Sequence, residues 1–159
     1  MDAHDTMTGL DQSDSFRYVG PNFAAEVAQT NTKAGGAFAD TDTTIDVITD
    51  FATTVDNLDF SIDGGGNRFG VMANNDAVAT FALAYAAADV AFTQPGGGAA
   101  STKNYFLTTY GSNTAWTAVL FIDDTANSGT VDGAIQLGAT GAYANAAAAL
   151  DAIVGADII

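Results

Sequence analysis

The chain has 159 residues, 48% of them apolar, and a formal net charge of −15. That suits one domain with its own core and rules out a disordered acidic tail. Lys33, Lys103, Arg17 and Arg68 are its only lysines and arginines, too few to neutralise phosphates, which excludes nucleic acid and an anionic membrane surface as partners.

In chain order, "MDAHDTMTGLDQSD" has neither the basic start nor the apolar stretch of a cleaved export signal. "DSFRYVG" alternates Phe16 and Tyr18 with Ser15 and Arg17, the period of a short strand. Residues 21–41 are small and polar and read as an inserted loop, with a helical turn near 23–29. "TIDVITDF" is rich in β-branched residues, and "LDFSI" alternates Leu58, Phe60 and Ile62 with polar neighbours. With the turn-forming "ATTVDN" between them they predict strand–turn–strand, not a helix. "DGGGN" predicts a sharp turn, and residues 74–92 predict an alanine-rich helix with Phe81, Tyr85, Ala88 and Phe92 on one face. Its apolar part, 77–92, is interrupted by Asp89 and too short to span a membrane. A flexible loop (93–102) precedes three strands at 104–110, 115–123 and 130–138, the last two joined by the hairpin loop "DDTANSG". A short helix is predicted at 144–154. The expected fold class is mainly β, a β-roll-like or β-sandwich meander with one or two Ala-rich helices.

The chemistry is narrow. His4 is the only histidine, so neither a Ser–His–Asp triad nor an HExxH zinc site can be built. No thiolate site is available either, since cysteine is absent. The glycine-rich stretches "DGGGN" and "QPGGGAAS" lack the lysine of a phosphate loop and read as plain loops. All but Glu26 of the nineteen acidic residues are Asp, the short carboxylate that favours turns and suits Ca²⁺ as a hard oxygen ligand. Asp14, Asp46, Asp50, Asp56 and Asp59 are expected at strand ends and turns, where they can converge on a cation. Asp123, Asp124 and Asp132 flank the hairpin loop and are candidates for a second; the plainer alternative there is a solvated turn. Trp116 alternates with apolar neighbours and reads as core, although stacking on a sugar is the alternative.

Two stretches carry a resemblance. "HDTMTGLDQSDSFRYVG" is similar to the last, worn copy of the Asp- and Gly-rich calcium repeats of bacterial RTX proteins, "NDTLTGGAGADTFVY", through Asp5, Thr6, Thr8, Gly9, Asp14, Phe16 and Tyr18. Leu10 and Gln12 replace two of its glycines. "TIDVITDFATTVDNLDFS" resembles the signature "DTITDFxxGxDKLDLS" that follows such repeats in serralysin-like C-terminal domains, through Asp46, Ile48, Asp50, Phe51, Asp56, Leu58, Asp59 and Ser61. The tail, "NYFLTTY" to "VGADII", is similar as well. The resemblance implies one domain over 1–159: a degenerate repeat strand (1–20), an insertion (21–41) and a β-rich body (42–159) with a secretion-signal-like end. It implies Ca²⁺ as cofactor, export by type I secretion machinery, a secreted or cell-surface location and no enzymatic activity, because the family's protease motif lies in another domain. The expected function is a calcium-responsive secretion or surface module of an extracellular bacterial protein. The alternative is a self-assembling subunit of an extracellular layer or filament.

Overall fold

β7 (Ala115–Ile122) lies at the centre of the protein because its residues from Thr117 on are buried on both faces. Such a strand reads as an unbroken apolar run instead of an alternation. The computed structural model describes residues 6–9, 13–18, 23–27, 30, 45–93, 102–124 and 130–159. His4, the loop at 94–101, residues 125–129 and most of the 21–41 insertion lie outside them.

The described elements are mainly β. β7 pairs antiparallel with β6 (Tyr105–Ser112) and with β8 (Gly133–Leu137), which is the expected meander. The β6–β7 turn is two residues long, and Asn113 takes a φ of 55° there, a left-handed conformation that Asn tolerates better than most side chains. β8 in turn pairs in parallel with β3 (Asp46–Ile48), and β3 with β1 (Thr6–Met7). At the far side, β5 (Phe69–Val71) pairs in parallel with β6. The six-stranded order is β1-β3-β8-β7-β6-β5.

A second, two-stranded parallel sheet joins β2 (Ser15–Arg17) to β4 (Asn57–Asp59). The expected strands around "ATTVDN" are therefore present, but β3 and β4 are not each other's partners. Each pairs with the N-terminal stretch, Thr6 opposite Val47 and Ser15 opposite Asn57. Residues 6–7 and 15–17 thus run beside 47–48 and 57–59 as stacked coils, offset by 41 residues before the 52–56 turn and 42 after it. Beyond them, Ile158 bridges Leu58 in parallel, and Ile159 exchanges backbone hydrogen bonds with Leu58 and Phe60 (2.9 and 2.8 Å).

One core lies between the sheets, where Ile48, Leu120, Ile122, Ile135 and Leu137 meet Phe16, Leu58, Phe60 and Ile158. The alternation read in "SFRY" and "LDF" holds: Phe16, Tyr18, Leu58 and Phe60 point inward, and Tyr18 stacks on Phe60 at 4.6 Å between centroids. The other face of the large sheet, through Val119, Phe121 and Ala134, is covered by α2 (Phe81–Phe92) with Ala84, Ala88 and Phe92 buried. α2 starts later than the expected residue 74. Asn74–Asp76 form a 3-10 turn, and Val78 is held extended by a bridge to Tyr110. Helix propensity at 74–79 yields to that tertiary pairing, and Thr80 caps the helix by accepting from the Leu83 amide. α1 (Phe23–Val27) and α3 (Ala146–Leu150) are single short turns of helix, α3 being capped by Asn145. Trp116 packs partly buried against the core, its indole N–H donating to the Asn113 carbonyl at 3.1 Å. Among the described residues, no helix is long and apolar enough to cross a membrane.

Candidate cation site

The eight aspartates singled out in the sequence fall into two structural groups. Asp14, Asp46, Asp50, Asp56 and Asp59 lie along the stacked coils. Asp50 accepts the Gly9 amide at 2.7 Å. Asp56, buried, accepts the amides of Asp14 (3.0 Å) and Ala52 (2.8 Å). Asp59 pairs with Arg17 opposite it in the ladder at 3.2 Å, an exposed contact of little energetic weight. Asp46 is buried within β3. Asp14 donates its amide to Asp56, and its carboxylate lies so close to Gly9 that any side chain there would collide with it.

Asp50 and Asp56 therefore tie one coil to the next through backbone N–H groups. A tight turn leaves amides that have no strand partner, and a buried amide must find an acceptor. Asp is short enough to supply one from the neighbouring coil. Asp157 repeats the device from the C-terminal side: it accepts from the Thr53 hydroxyl (2.6 Å), the Thr54 amide (3.0 Å) and the Val154 amide (3.0 Å). Asp157 was not singled out by sequence reasoning. Nothing in "VGADII" shows that its carboxylate is buried against a turn a hundred residues earlier.

The second group is brought together. Asp123, Asp124 and Asp132 each offer an oxygen within 4.8 Å of the others, and among the described residues no other three acidic, His or Cys side chains do so. β7 and β8 create this proximity. Asp123 follows the last residue of β7, and Asp132 precedes β8 and donates its amide to the Ile122 carbonyl at 2.8 Å. Asp123 is fully buried, while Asp124 and Asp132 are half-buried. Asn104, also missed in the sequence, brackets the turn: its side-chain amide donates to the Asp123 carbonyl (3.0 Å), and its carbonyl accepts the Asp123 amide (2.9 Å). Asp132 in turn accepts the Asp124 amide at 3.1 Å.

Three oxygens so spaced can all reach one hard cation, because ligands about 2.4 Å from Ca²⁺ lie at most about 5 Å apart. The geometry suits oxygen-loving divalent ions generally. Without a cation, burial and then the charges of Asp124 and Asp123 push the Asp132 carboxyl up to about 6. Its native pKa then lies above the unfolded value near 4, so the folded state binds more protons between about pH 4 and pH 6. By linkage, this group's contribution to stability is greatest at the acid end of that window and is lost as pH rises through about 6. Denaturant unfolding of the cation-free protein should show that loss, and Asp132→Asn should flatten it. An unchanged pH profile in the variant would remove the strain from Asp132.

Comparison with family models, with curated proteins and with solved structures gives no match to this chain.

Proposed function

We propose that this chain is a calcium-responsive, non-enzymatic β module of an extracellular bacterial protein, of the kind that follows Asp- and Gly-rich repeats in RTX proteins and is exported by type I machinery. The observation that carries the reading is the register of the coils. Two stretches that resemble separate parts of that pattern, the repeat and the signature after it, lie side by side in parallel with offsets of 41 and 42 residues. Stacked parallel coils are the geometry expected of consecutive turns of a β-roll. A second detail agrees: the signature has glycine where this chain has Thr54, and Thr54 adopts a φ of 66°, which a β-branched residue rarely tolerates.

Calcium-responsiveness rests on Asp123, Asp124 and Asp132. A cation among them offsets the burial and the neighbouring charges that raise the Asp132 carboxyl to about 6, and its binding free energy adds to folding. Thermal unfolding should therefore rise in millimolar Ca²⁺ and fall in chelator at fixed ionic strength. At a hundredfold excess over the dissociation constant the gain is about 2.7 kcal/mol. Asp123→Asn with Asp124→Asn should abolish the shift while leaving the cation-free protein as stable as before or slightly more so. Identical unfolding curves with and without Ca²⁺ would overturn the calcium reading. A shift that survives in the double variant would move the ion to the coils.

A further inference from the structure

Two chain segments enter the parallel pair β5–β6 side by side, and a cleft of about 550 Å³ opens where they meet. The turn "DGGGNR" supplies Asp63, Gly66, Asn67 and Arg68 to it, and the residues before β6 supply Thr102 and Asn104. Among the described residues no apolar side chain lines it. The volume is that of a small-molecule cleft, but such clefts are mostly apolar with a few polar groups; this one is polar throughout. Its walls are fixed by hydrogen bonds. The Arg68 carbonyl accepts the amides of Asn104 (2.9 Å) and Tyr105 (3.0 Å). Asp63 accepts the Gly65 amide at 2.8 Å and Arg68 Nη1 at 2.9 Å. Asn104 is only 3% exposed, and its side-chain nitrogen is spent on the Asp123 carbonyl at 3.0 Å. Its Oδ1 accepts no hydrogen bond among the described residues, although a buried polar group ordinarily has a partner.

We propose that this cleft binds a neutral sugar ring through adjacent hydroxyls. Charge narrows the ligand first. Asp63 and Arg68 form an ion pair at 2.9 Å and cancel, and Lys103 runs along Gly70, outside the lining. An anion would have to approach Asp63 in a chain of −15, and a cation would have to sit beside the guanidinium. An apolar ligand would take water from these polar groups without replacing its hydrogen bonds. What remains is a neutral molecule that donates and accepts at neighbouring points. Asp63 and Asn104 Oδ1 accept, Arg68 keeps N–H groups that Asp63 does not use, and the Asn67 amide and Thr102 hydroxyl do both. A sugar hydroxyl is likewise donor and acceptor, and a carboxylate held beside a guanidinium suits two hydroxyls on adjoining carbons. Gly66 has a φ of 63°, with open space where a side chain would stand, so a ligand can approach the backbone there.

Among the described residues no aromatic ring lines the cleft for a sugar to stack on, and hydrogen bonds exchanged with water return little net energy. The dissociation constant is accordingly on the order of 1 mM. Trp116, the other residue suited to sugar stacking, lies at the far end of β7. It pairs next to the β6–β7 turn, whereas Asn104 adjoins Asp123 at the opposite end. One experiment therefore separates the two places.

Amide chemical-shift titration of the full chain in chelator tests this without involving calcium. The probes are glucose, galactose, mannose and N-acetylglucosamine, each taken to tens of millimolar. Saturable shifts at Gly65, Gly66, Asn67, Arg68 and Thr102 are expected with at least one of the four, while Trp116 and its neighbours stay unmoved. Arg68→Ala and Asp63→Asn, both at exposed side chains, should each weaken that binding about tenfold through loss of a charged hydrogen-bonding partner. The remaining amides report that each variant is folded. Asp76→Asn, which removes an exposed charge outside the cleft, should leave the affinity unchanged. No saturable shift with any of the four sugars overturns the proposal. So does a response centred on Trp116, an affinity that survives both cleft variants, or tighter binding of inorganic phosphate than of every sugar at the same amides.

Discussion

Asp157→Ala should lower the melting temperature by roughly 10 °C, the consequence of losing about 3–5 kcal/mol. The carboxylate is buried and accepts three hydrogen bonds, from the Thr53 hydroxyl and from the amides of Thr54 and Val154. Alanine removes all three and leaves two amides without their acceptor. The loss is enlarged by what those bonds restrain. Thr54 is left-handed at φ 66°, a conformation that costs of order 1 kcal/mol or more for a β-branched residue and persists only where its surroundings hold it. Asp157→Asn keeps one acceptor oxygen and should fall part of the way. An alanine variant that melts with the parent would show that the 52–56 turn is held by something else.

Phe121→Ala should cost about 3–5 kcal/mol, the range for emptying a fully buried aromatic site. The ring is completely buried on the central strand and meets Phe81 at 5.6 Å and Tyr85 edge-on at 6.0 Å. These contacts fasten α2 to the sheet, so its helical signal should be lost at lower urea than the signal of the other face. Phe121→Leu fills most of the volume and should cost less than half as much. If both variants unfold at the parent's midpoint, α2 does not depend on this ring.

Much of the body was legible in the sequence because burial writes a local pattern. The apolar run of β7, the β8 run after the hairpin loop and the alternation of Phe16, Tyr18, Leu58 and Phe60 are each explained by which faces are covered. The joining of Asp123, Asp124 and Asp132 was legible for the same reason: a hairpin brings its two ends together. Pairing over distance was not. Nothing local tells β3 to bond to β1 and β8 instead of to β4, because strand partners are chosen by the whole sheet. The start of α2 was misread where Val78 is drawn into a bridge with Tyr110. The roles of Asp50, Asp56 and Asp157 could not be read either. A carboxylate that accepts a backbone amide leaves no pattern in the side chains around it.

The stacked coils also govern how the molecule must fold. The β6–β7 hairpin closes through a two-residue turn, so its pairs form after a short search. The coils join residues 41 and 42 apart, and the Thr53–Asp157 bond spans 104. Each such closure spends chain entropy before the contacts beyond it return anything. A topology with so many distant partners belongs with slow-folding, high-contact-order proteins. The 52–56 turn gains its bonds to Asp157 only when the C-terminal segment arrives.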